Sequence, residues 1–213
     1  DAINTWYGRP DLPIGTDKVG PTALRRDSPY APGLRDGFPN DIGPDDAAPD
    51  AADVYRSVLT ERPDGSVTIC SIGALSNLAE LWRQAPDLVR RKVRRLVIMG
   101  GKFQPADRPE TNIATHPDAA RLVAAEWPGE VFWLPFEVGH PVITGAGLRD
   151  TPAANPVRRA YELRRYQGRP SINGGQPSYD QAAALFAVRG PDPRLWTLDA
   201  GGKVCIVDPE GTT

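Results

Sequence analysis

The sequence contains few of the residues that build disulfide frameworks or zinc centres. Its 213 residues include two cysteines, Cys70 and Cys205, and two histidines, His116 and His140. Two isolated cysteines do not make a disulfide framework. Both lie in apolar runs that predict strands, so we expect buried free thiols. Two histidines without a neighbouring cysteine make a zinc site a poor prediction.

Long hydrophobic runs and a strong charge of one sign are also missing. No stretch is long and apolar enough to span a bilayer, and no signal peptide is visible. The formal net charge of −2 provides no basic face for a nucleic acid. We therefore expect no membrane-spanning segment and no nucleic-acid partner. The hydrophobic share of 40% is enough for the core of one domain.

The first 46 residues show little hydrophobic periodicity. The chain starts at Asp1 rather than Met, and we expect a processed or excised piece of a longer protein. Asp1–Tyr7 resembles the end of a helix, and residues 8–15 predict a turn entering a short strand. Pro and Gly punctuate residues 20–46, which predicts a long loop of the kind that is usually functional or mobile.

From residue 47 onwards, apolar strands alternate with amphipathic helices. The predicted strands are Val67–Ile72, Leu96–Met99, Val131–Pro135 and Lys203–Val207. The predicted helices are Ala47–Arg62, Leu75–Gln84, Pro117–Trp127, Pro156–Tyr166 and Tyr179–Val188. This alternation predicts an α/β fold with a mainly parallel sheet and helices on both faces. We expect the first three strands to lie side by side and parallel.

Ligands bind such sheets beyond the carboxyl ends of the strands. Glu110 and Asn112 follow the second strand after a loop, and in an extended segment their side chains point the same way. A carboxylate and an amide so placed can hold the vicinal hydroxyls of a sugar. The alternative is a solvent-facing glutamate and an asparagine in a turn.

Three other polar residues each allow two interpretations. Asp180 opens the last predicted helix, where it either complements the helix dipole or binds a metal ion. His140 lies just past the third strand and is either a site residue or a structural one. His116 precedes Pro117 and predicts a helix cap or a surface position.

Four ordered motifs resemble those of the inosine-uridine-preferring nucleoside hydrolase family. The segment 72–79 (IGALSNLA) is similar to the family's Gly-Pro-Leu-Thr-Asn-Leu-Ala stretch, and 96–101 (LVIMGG) to its Val-Leu-Met-Gly-Gly strand end. Residues 110–112 (ETN), followed by 116–120 (HPDAA), resemble Glu-Phe-Asn followed by Asp-Pro-Glu-Ala-Ala. Residues 178–180 (SYD) resemble the late His-Asp motif. The set extends from Asp1 to about Val207.

The resemblance implies a Rossmann-like hydrolase that cleaves the N-glycosidic bond of ribonucleosides with Ca²⁺-activated water. It implies Asp180 and the main-chain oxygen of Ile72 as metal ligands, and Asp180 and Tyr179 as catalytic residues. Glu110 and Asn112 match the ribose-binding pair, and Met99 matches the residue that packs against the ribose. The expected partner is a small-molecule nucleoside. Such cleavage passes through an oxocarbenium-like state.

Two departures from the family's pattern stand out. The early Asp-x-Asp-x-Gly-x-Asp-Asp motif is absent, so we expect residues 1–213 to form a single nucleoside hydrolase-like domain without the N-terminal Asp-rich segment and first strands. Asp45 and Asp46 lie in the wrong place to replace it. Tyr179 stands where the family has the histidine that protonates the leaving base. A phenol with a reference pKa of about 10 suits that role poorly, so either the base is activated differently or the leaving group is better.

The missing motif also limits what we expect of this chain alone. With few charged ligands it should bind Ca²⁺ weakly and cleave nucleosides little. An uncovered sheet edge predicts self-association, as a homo-oligomer, or a complementing N-terminal segment. The alternatives to an enzyme are a non-catalytic nucleoside- or sugar-binding remnant and an α/β module that binds a protein partner.

Overall fold

The computed structural model describes residues 1–18, 20, 28–42, 47–104, 108–199, 202, 204–206 and 208–213. The α-helices of these residues are α1 (Ala2–Trp6), α2 (Ala31–Gly37), α3 (Ala51–Thr60), α4 (Ser76–Gln84), α5 (Pro86–Lys92), α6 (Thr111–Thr115), α7 (Pro117–Glu126), α8 (Phe136–Gly139), α9 (Pro156–Leu163) and α10 (Tyr179–Arg189). The strands are β1 (Val67–Ser71), β2 (Val93–Met99), β3 (Glu130–Leu134), β4 (Ile143–Thr144), β5 (Arg165–Tyr166), β6 (Arg169–Pro170) and β7 (Gln176–Pro177).

The main sheet of the described residues has three parallel strands in the order β1-β2-β3. Ser71 pairs with Ile98, and Met99 pairs with Leu134, so the carboxyl ends of the strands meet at one edge. The prediction that these strands are parallel neighbours is therefore confirmed. Parallel neighbours need long crossovers, and the crossovers contain α4 and α5 before β2 and α6 and α7 before β3.

The central strand β2 is buried on both faces, as its continuous apolar sequence requires. Leu96 and Ile98 face a core built with α3, α4, α5 and α7. Val97 and Met99 face a second core in which Phe186 of α10 is only 2% exposed. Helices therefore cover both faces of the sheet, as predicted. The site at the carboxyl edge is framed by α10, whose first residues lie beside α8.

The long N-terminal loop predicted for residues 20–46 contains a helix. Ala31–Gly37 forms α2, which has a proline in its first turn and buries Leu34. A proline there costs no hydrogen bond, so it starts a helix as readily as it breaks one. The strand predicted after residues 8–15 is reduced to a single bridge between Thr16 and Asp50. Asp45 and Asp46 lie outside the described residues.

The C-terminal predictions need three corrections. The helix predicted to reach Tyr166 ends at Leu163, and the chain then forms the β5–β6 hairpin. Residues 204–206 are not in a strand, and Lys203 and Val207 lie outside the described residues. Cys205 is exposed rather than buried, because the strand that would have buried it does not form there, while Cys70 in β1 is half-buried. Both thiols are free.

No α-helix in the described part of the chain combines the length and the hydropathy needed to cross a membrane.

Candidate active site

The carboxyl edge of the sheet is organised by the turn that follows β2. The Gly100 amide donates to the Leu134 carbonyl at 3.2 Å, and the Phe136 amide donates to the Gly101 carbonyl at 2.9 Å. These bonds extend the β2–β3 ladder past the end of the strands. Gly101 has φ +86°, a left-handed conformation that glycine adopts without strain. The turn therefore bends the chain across the strand ends, where a ligand site is expected.

Glu110 is a buried helix cap rather than a residue of an extended segment. Its side chain is 6% exposed, and it N-caps α6, which begins at Thr111. One carboxylate oxygen, Oε2, accepts the amides of Asn112 at 2.9 Å, Ile113 at 3.3 Å and Gly101 at 3.3 Å. Glu110 is therefore neither in an extended segment with Asn112 nor solvent-facing, while its predicted role in sugar binding stays a prediction. A side-chain oxygen at the N-cap accepts backbone amides of the first helical turn that have no partner within the helix.

Burial and backbone hydrogen bonds act in opposite directions on the ionisation of the Glu110 carboxyl group. Burial raises the pKa of Glu110 above its ordinary value, the backbone amides oppose that rise, and the nearby charge of Asp180 adds to it. The charge of Asp180 is the smallest of these influences on Glu110, and it indicates that the start of α10 lies within electrostatic range of the start of α6. Paired carboxyl groups with raised pKa values are characteristic of functional sites.

Asn112 joins the end of β2 to the start of α6. Its Nδ2 donates to the Met99 carbonyl at 3.0 Å and lies 3.2 Å from the Met99 sulfur. These contacts use the amide nitrogen and leave Oδ1 without a partner among the described residues. Asn112 is half-buried. The structure thus brings Met99, Glu110 and Asn112 into one hydrogen-bonded unit.

Asp180 is the second residue of α10 and faces solvent at the edge of the site. Partial desolvation by surrounding protein raises its pKa. Burial raises the pKa of the Cys70 thiol, and the charge of Asp180 adds to the rise, so Asp180 lies within electrostatic range of β1. Ile72 directly follows β1, and the pairing of Ser71 with Ile98 puts Ile72 level with Met99. The Ile72 side chain is 48% exposed, which leaves this end of β1 open.

Tyr179 has a partner that the sequence interpretation missed. Its hydroxyl lies 2.8 Å from Nδ1 of His140, and both rings stack on Phe136, with centroids 5.1 Å and 4.7 Å away. Burial raises the pKa of the Tyr179 phenol, and charges on Tyr166 and Glu110 add to the rise, so the phenol keeps its proton. His140 lies beside Tyr179, which leaves open whether it is a site residue or a structural one. His116 is the predicted helix cap, because its Nδ1 accepts the Ala119 amide at 3.3 Å.

The described residues offer few metal donors at this edge. They contain no group of three or more His, Cys, Asp or Glu side chains that could hold a metal ion. Asp180 and the main-chain oxygen of Ile72 are the only groups that the sequence analysis assigned to a metal. They supply two carboxylate oxygens and one carbonyl oxygen, fewer than the roughly 6–8 that Ca²⁺ takes. This set does not fit Ca²⁺ by itself.

Comparison with known proteins gives a consistent result. The family described as inosine-uridine preferring nucleoside hydrolase matches residues 9–211. The non-specific ribonucleoside hydrolase RihC of Escherichia coli (strain SMS-3-5 / SECEC) is 31% identical over 160 residues, which cover 73% of this chain and 49% of RihC. The plant nucleoside hydrolase PpNRh1 is 26% identical, with a TM-score of 0.66 over 92% of this chain and 67% of that one. An inosine-guanosine nucleoside hydrolase has 21% identity and a TM-score of 0.67 over 98% of this chain and 70% of that one, which shows a shared fold.

The fold and the strand-end cluster of carboxyl, amide and phenol groups define an α/β protein of the nucleoside hydrolase type. With a match over residues 9–211, the chain belongs to the inosine-uridine preferring nucleoside hydrolase family. The chain spans between about half and about two thirds of the length of the first curated relatives that it matches, at 49% and 64%.

Proposed function

We propose that the protein hydrolyses the N-glycosidic bond of ribonucleosides at the carboxyl edge of its sheet. The observation that carries the proposal is the unit formed by Met99, Glu110 and Asn112, with the Asp180 carboxyl group close enough to act electrostatically on Glu110. Membership of the family and the similarity to RihC support the same reaction. We also propose that residues 1–213 form one nucleoside hydrolase-like domain that lacks the Asp-rich segment of its family.

The ribose would bind across the end of β2. Asn112 Oδ1 has no partner among the described residues and would accept a ribose hydroxyl, because Nδ2 is held by the Met99 carbonyl. Within the same residues Glu110 Oε1 accepts the Asn112 amide alone, so this oxygen keeps a lone pair for a second hydroxyl. The Met99 side chain packs beneath the ring, and Asp180 orients the attacking water at the anomeric carbon.

The Tyr179–His140 pair would serve the departing base. Imidazole is the side chain that commonly exchanges protons near neutral pH. A proton from His140 can reach a base nitrogen through the Tyr179 hydroxyl, which gains one proton as it gives up another. The phenol therefore never becomes a free phenolate, and the high pKa of Tyr179 does not prevent its participation.

Asp180 and the Ile72 carbonyl are the groups that would contribute to a Ca²⁺ site. When bound, Ca²⁺ would make the attacking water more acidic. Because these donors are too few for Ca²⁺, we propose that this chain alone binds Ca²⁺ weakly and cleaves nucleosides slowly. Self-association or a complementing N-terminal segment at the sheet edge stays a prediction.

A reducing-sugar assay on inosine and uridine with added Ca²⁺ tests the proposal. Asp180→Asn should abolish ribose release, whereas Asp118→Asn, which changes an exposed aspartate in the first turn of α7, should not. Equal ribose release by Asp180→Asn and the parent protein would refute the role of Asp180. Nucleoside binding by calorimetry without any release by the parent protein would favour the non-catalytic remnant, and neither binding nor release would favour the partner-binding module.

A further inference from the structure

The backbone of Gly139 lies directly against the backbone of Tyr179. Gly139 is the buried last residue of α8, and Tyr179 is the first residue of α10. A Cβ atom added to Gly139 would lie 2.5 Å from the Tyr179 Cα, 2.8 Å from its amide nitrogen and 3.0 Å from the Ser178 carbonyl oxygen. All three are main-chain atoms, which cannot rotate away as a side chain can. The two helices therefore approach this closely because residue 139 has no side chain.

Main-chain hydrogen bonds hold α8 in place at both of its ends. The Ser178 amide donates to the Gly139 carbonyl at 3.2 Å and to the Val142 carbonyl at 2.9 Å. At the start of α8, the Phe136 amide donates to the Gly101 carbonyl at 2.9 Å. A side chain at residue 139 could therefore be accommodated only by breaking or distorting some of these bonds.

The contact between the two backbones sets the position of the His140 imidazole. His140 follows Gly139 directly, and its Nδ1 lies 2.8 Å from the Tyr179 hydroxyl. The two carbonyls that accept the Ser178 amide flank His140 in the chain. The His140 and Tyr179 rings also stack on Phe136 of α8. A shift of α8 away from α10 would therefore carry the imidazole away from the phenol.

We propose that Gly139 is a positioning residue that holds His140 at hydrogen-bond distance from the Tyr179 hydroxyl. This inference rests on the proposed function, because it concerns the proton route to the departing base. Restoring an ordinary contact of 3.4 Å between a Cβ at residue 139 and the Tyr179 Cα would separate the two backbones by about 1 Å. A misplacement of about 1 Å can lower a rate roughly 10²-fold when two groups must meet. Gly139 itself does not touch the substrate and acts through His140.

Steady-state hydrolysis of inosine and of a nitrophenyl riboside tests the inference. Gly139→Ala should lower kcat on inosine roughly 10²-fold and leave KM unchanged. Hydrolysis of the nitrophenyl riboside should not change, because nitrophenolate departs without a proton. Gly147→Ala is the matched control, because Gly147 lies in the 3₁₀ helix Ala146–Asp150 and a Cβ there meets no described atom within 4 Å. It should leave both rates unchanged, and equal losses on the two substrates in Gly139→Ala would overturn the inference.

A double variant separates positioning from a general loss of stability. His140→Asn already removes the proton route, so adding Gly139→Ala to it should lower kcat on inosine little further. Multiplied losses in the double variant would show that Gly139 acts independently of His140 and would overturn the inference. If Gly139→Ala does not fold, Thr144→Val provides the test, because it removes the hydroxyl that bonds to the buried Ser178 side chain. Thr144→Val should cause a smaller loss on inosine alone, and equal losses on both substrates would contradict the proposal.

The ring resonances of His140 in nuclear magnetic resonance spectra give a readout that needs no turnover. The chain has two histidines, so His116 provides an internal reference. Tyr179→Phe removes the hydroxyl and should shift the His140 resonances in the parent protein but not in the Gly139→Ala background. This pattern in a protein that releases no ribose would refute the proposed hydrolysis and keep the positioning role. An equal shift in the two backgrounds, or none in the parent protein, would overturn the positioning role and leave the proposed hydrolysis intact.

Discussion

Two substitutions of Glu110 separate the loss of unfolding free energy caused by a missing hydrogen-bond acceptor from the loss caused by a buried charge. Glu110→Ala removes the acceptor of the Asn112, Ile113 and Gly101 amides. Loss of an N-cap costs about 1 kcal/mol, and a buried amide left without a partner costs about 1–3 kcal/mol. The unfolding free energy should therefore fall by about 2–4 kcal/mol.

Glu110→Gln should cost far less, under about 1 kcal/mol, because one oxygen can still accept all three amides. The difference in unfolding free energy between the parent protein and Glu110→Gln should depend on pH. Burial raises the pKa of Glu110 above its ordinary value of 4.5. The protonated form is therefore favoured by folding, and the stability it contributes is fully present below pH 4.5 and is lost as the pH rises through the raised value. Glutamine does not titrate, so the stability of the parent protein relative to Glu110→Gln should decrease over that interval.

Urea unfolding followed by circular dichroism between about pH 4 and 8 measures both effects, provided that the transition is two-state. Glu61→Gln, at an exposed position after α3, is the control and should not change the pH dependence. A loss below about 0.5 kcal/mol for Glu110→Ala would refute the cap argument. The same pH dependence in Glu110→Gln and the parent protein would refute the argument from burial.

Three further predictions concern other parts of the fold. Asn155→Ala should lower the unfolding free energy by about 1–2 kcal/mol, because the buried Asn155 side chain caps α9, and Asn155→Asp should restore most of it in the same urea titration. Phe186→Ala should lower the unfolding free energy by about 3–5 kcal/mol in that titration. Val188→Ala, at a side chain 82% exposed, should lower it by under about 0.5 kcal/mol. Equal effects of the two substitutions would contradict the assigned core. His140→Asn can still form a hydrogen bond with the Tyr179 hydroxyl but has no proton to transfer. It should slow nucleoside hydrolysis roughly 10²–10⁴-fold and leave hydrolysis of a nitrophenyl riboside unchanged; equal losses on the two substrates would refute the proton route.

The order of helices and strands was readable from the sequence because it depends on local pattern. The continuous apolar run of β2 predicts a strand buried on both faces, and the structure buries it between two helical layers. The proline at the start of α7 predicted a helix start, and the ordered motifs around Met99, Glu110 and Asp180 predicted the family. Hydrophobic periodicity and turn residues act over a few positions, so they are visible without a fold.

Only the tertiary structure decided what the polar residues contact. Glu110 accepts the amide of Gly101, nine residues earlier in the chain, and the partner of Tyr179 is 39 residues away. The predicted strand at residues 203–207 carries a strong local pattern, yet residues 204–206 do not form one. A strand needs a neighbour to pair with, and a charged side chain acquires its partner only when distant segments pack together. Local sequence therefore predicted the elements, while burial and contacts between remote segments determined the chemistry at their ends.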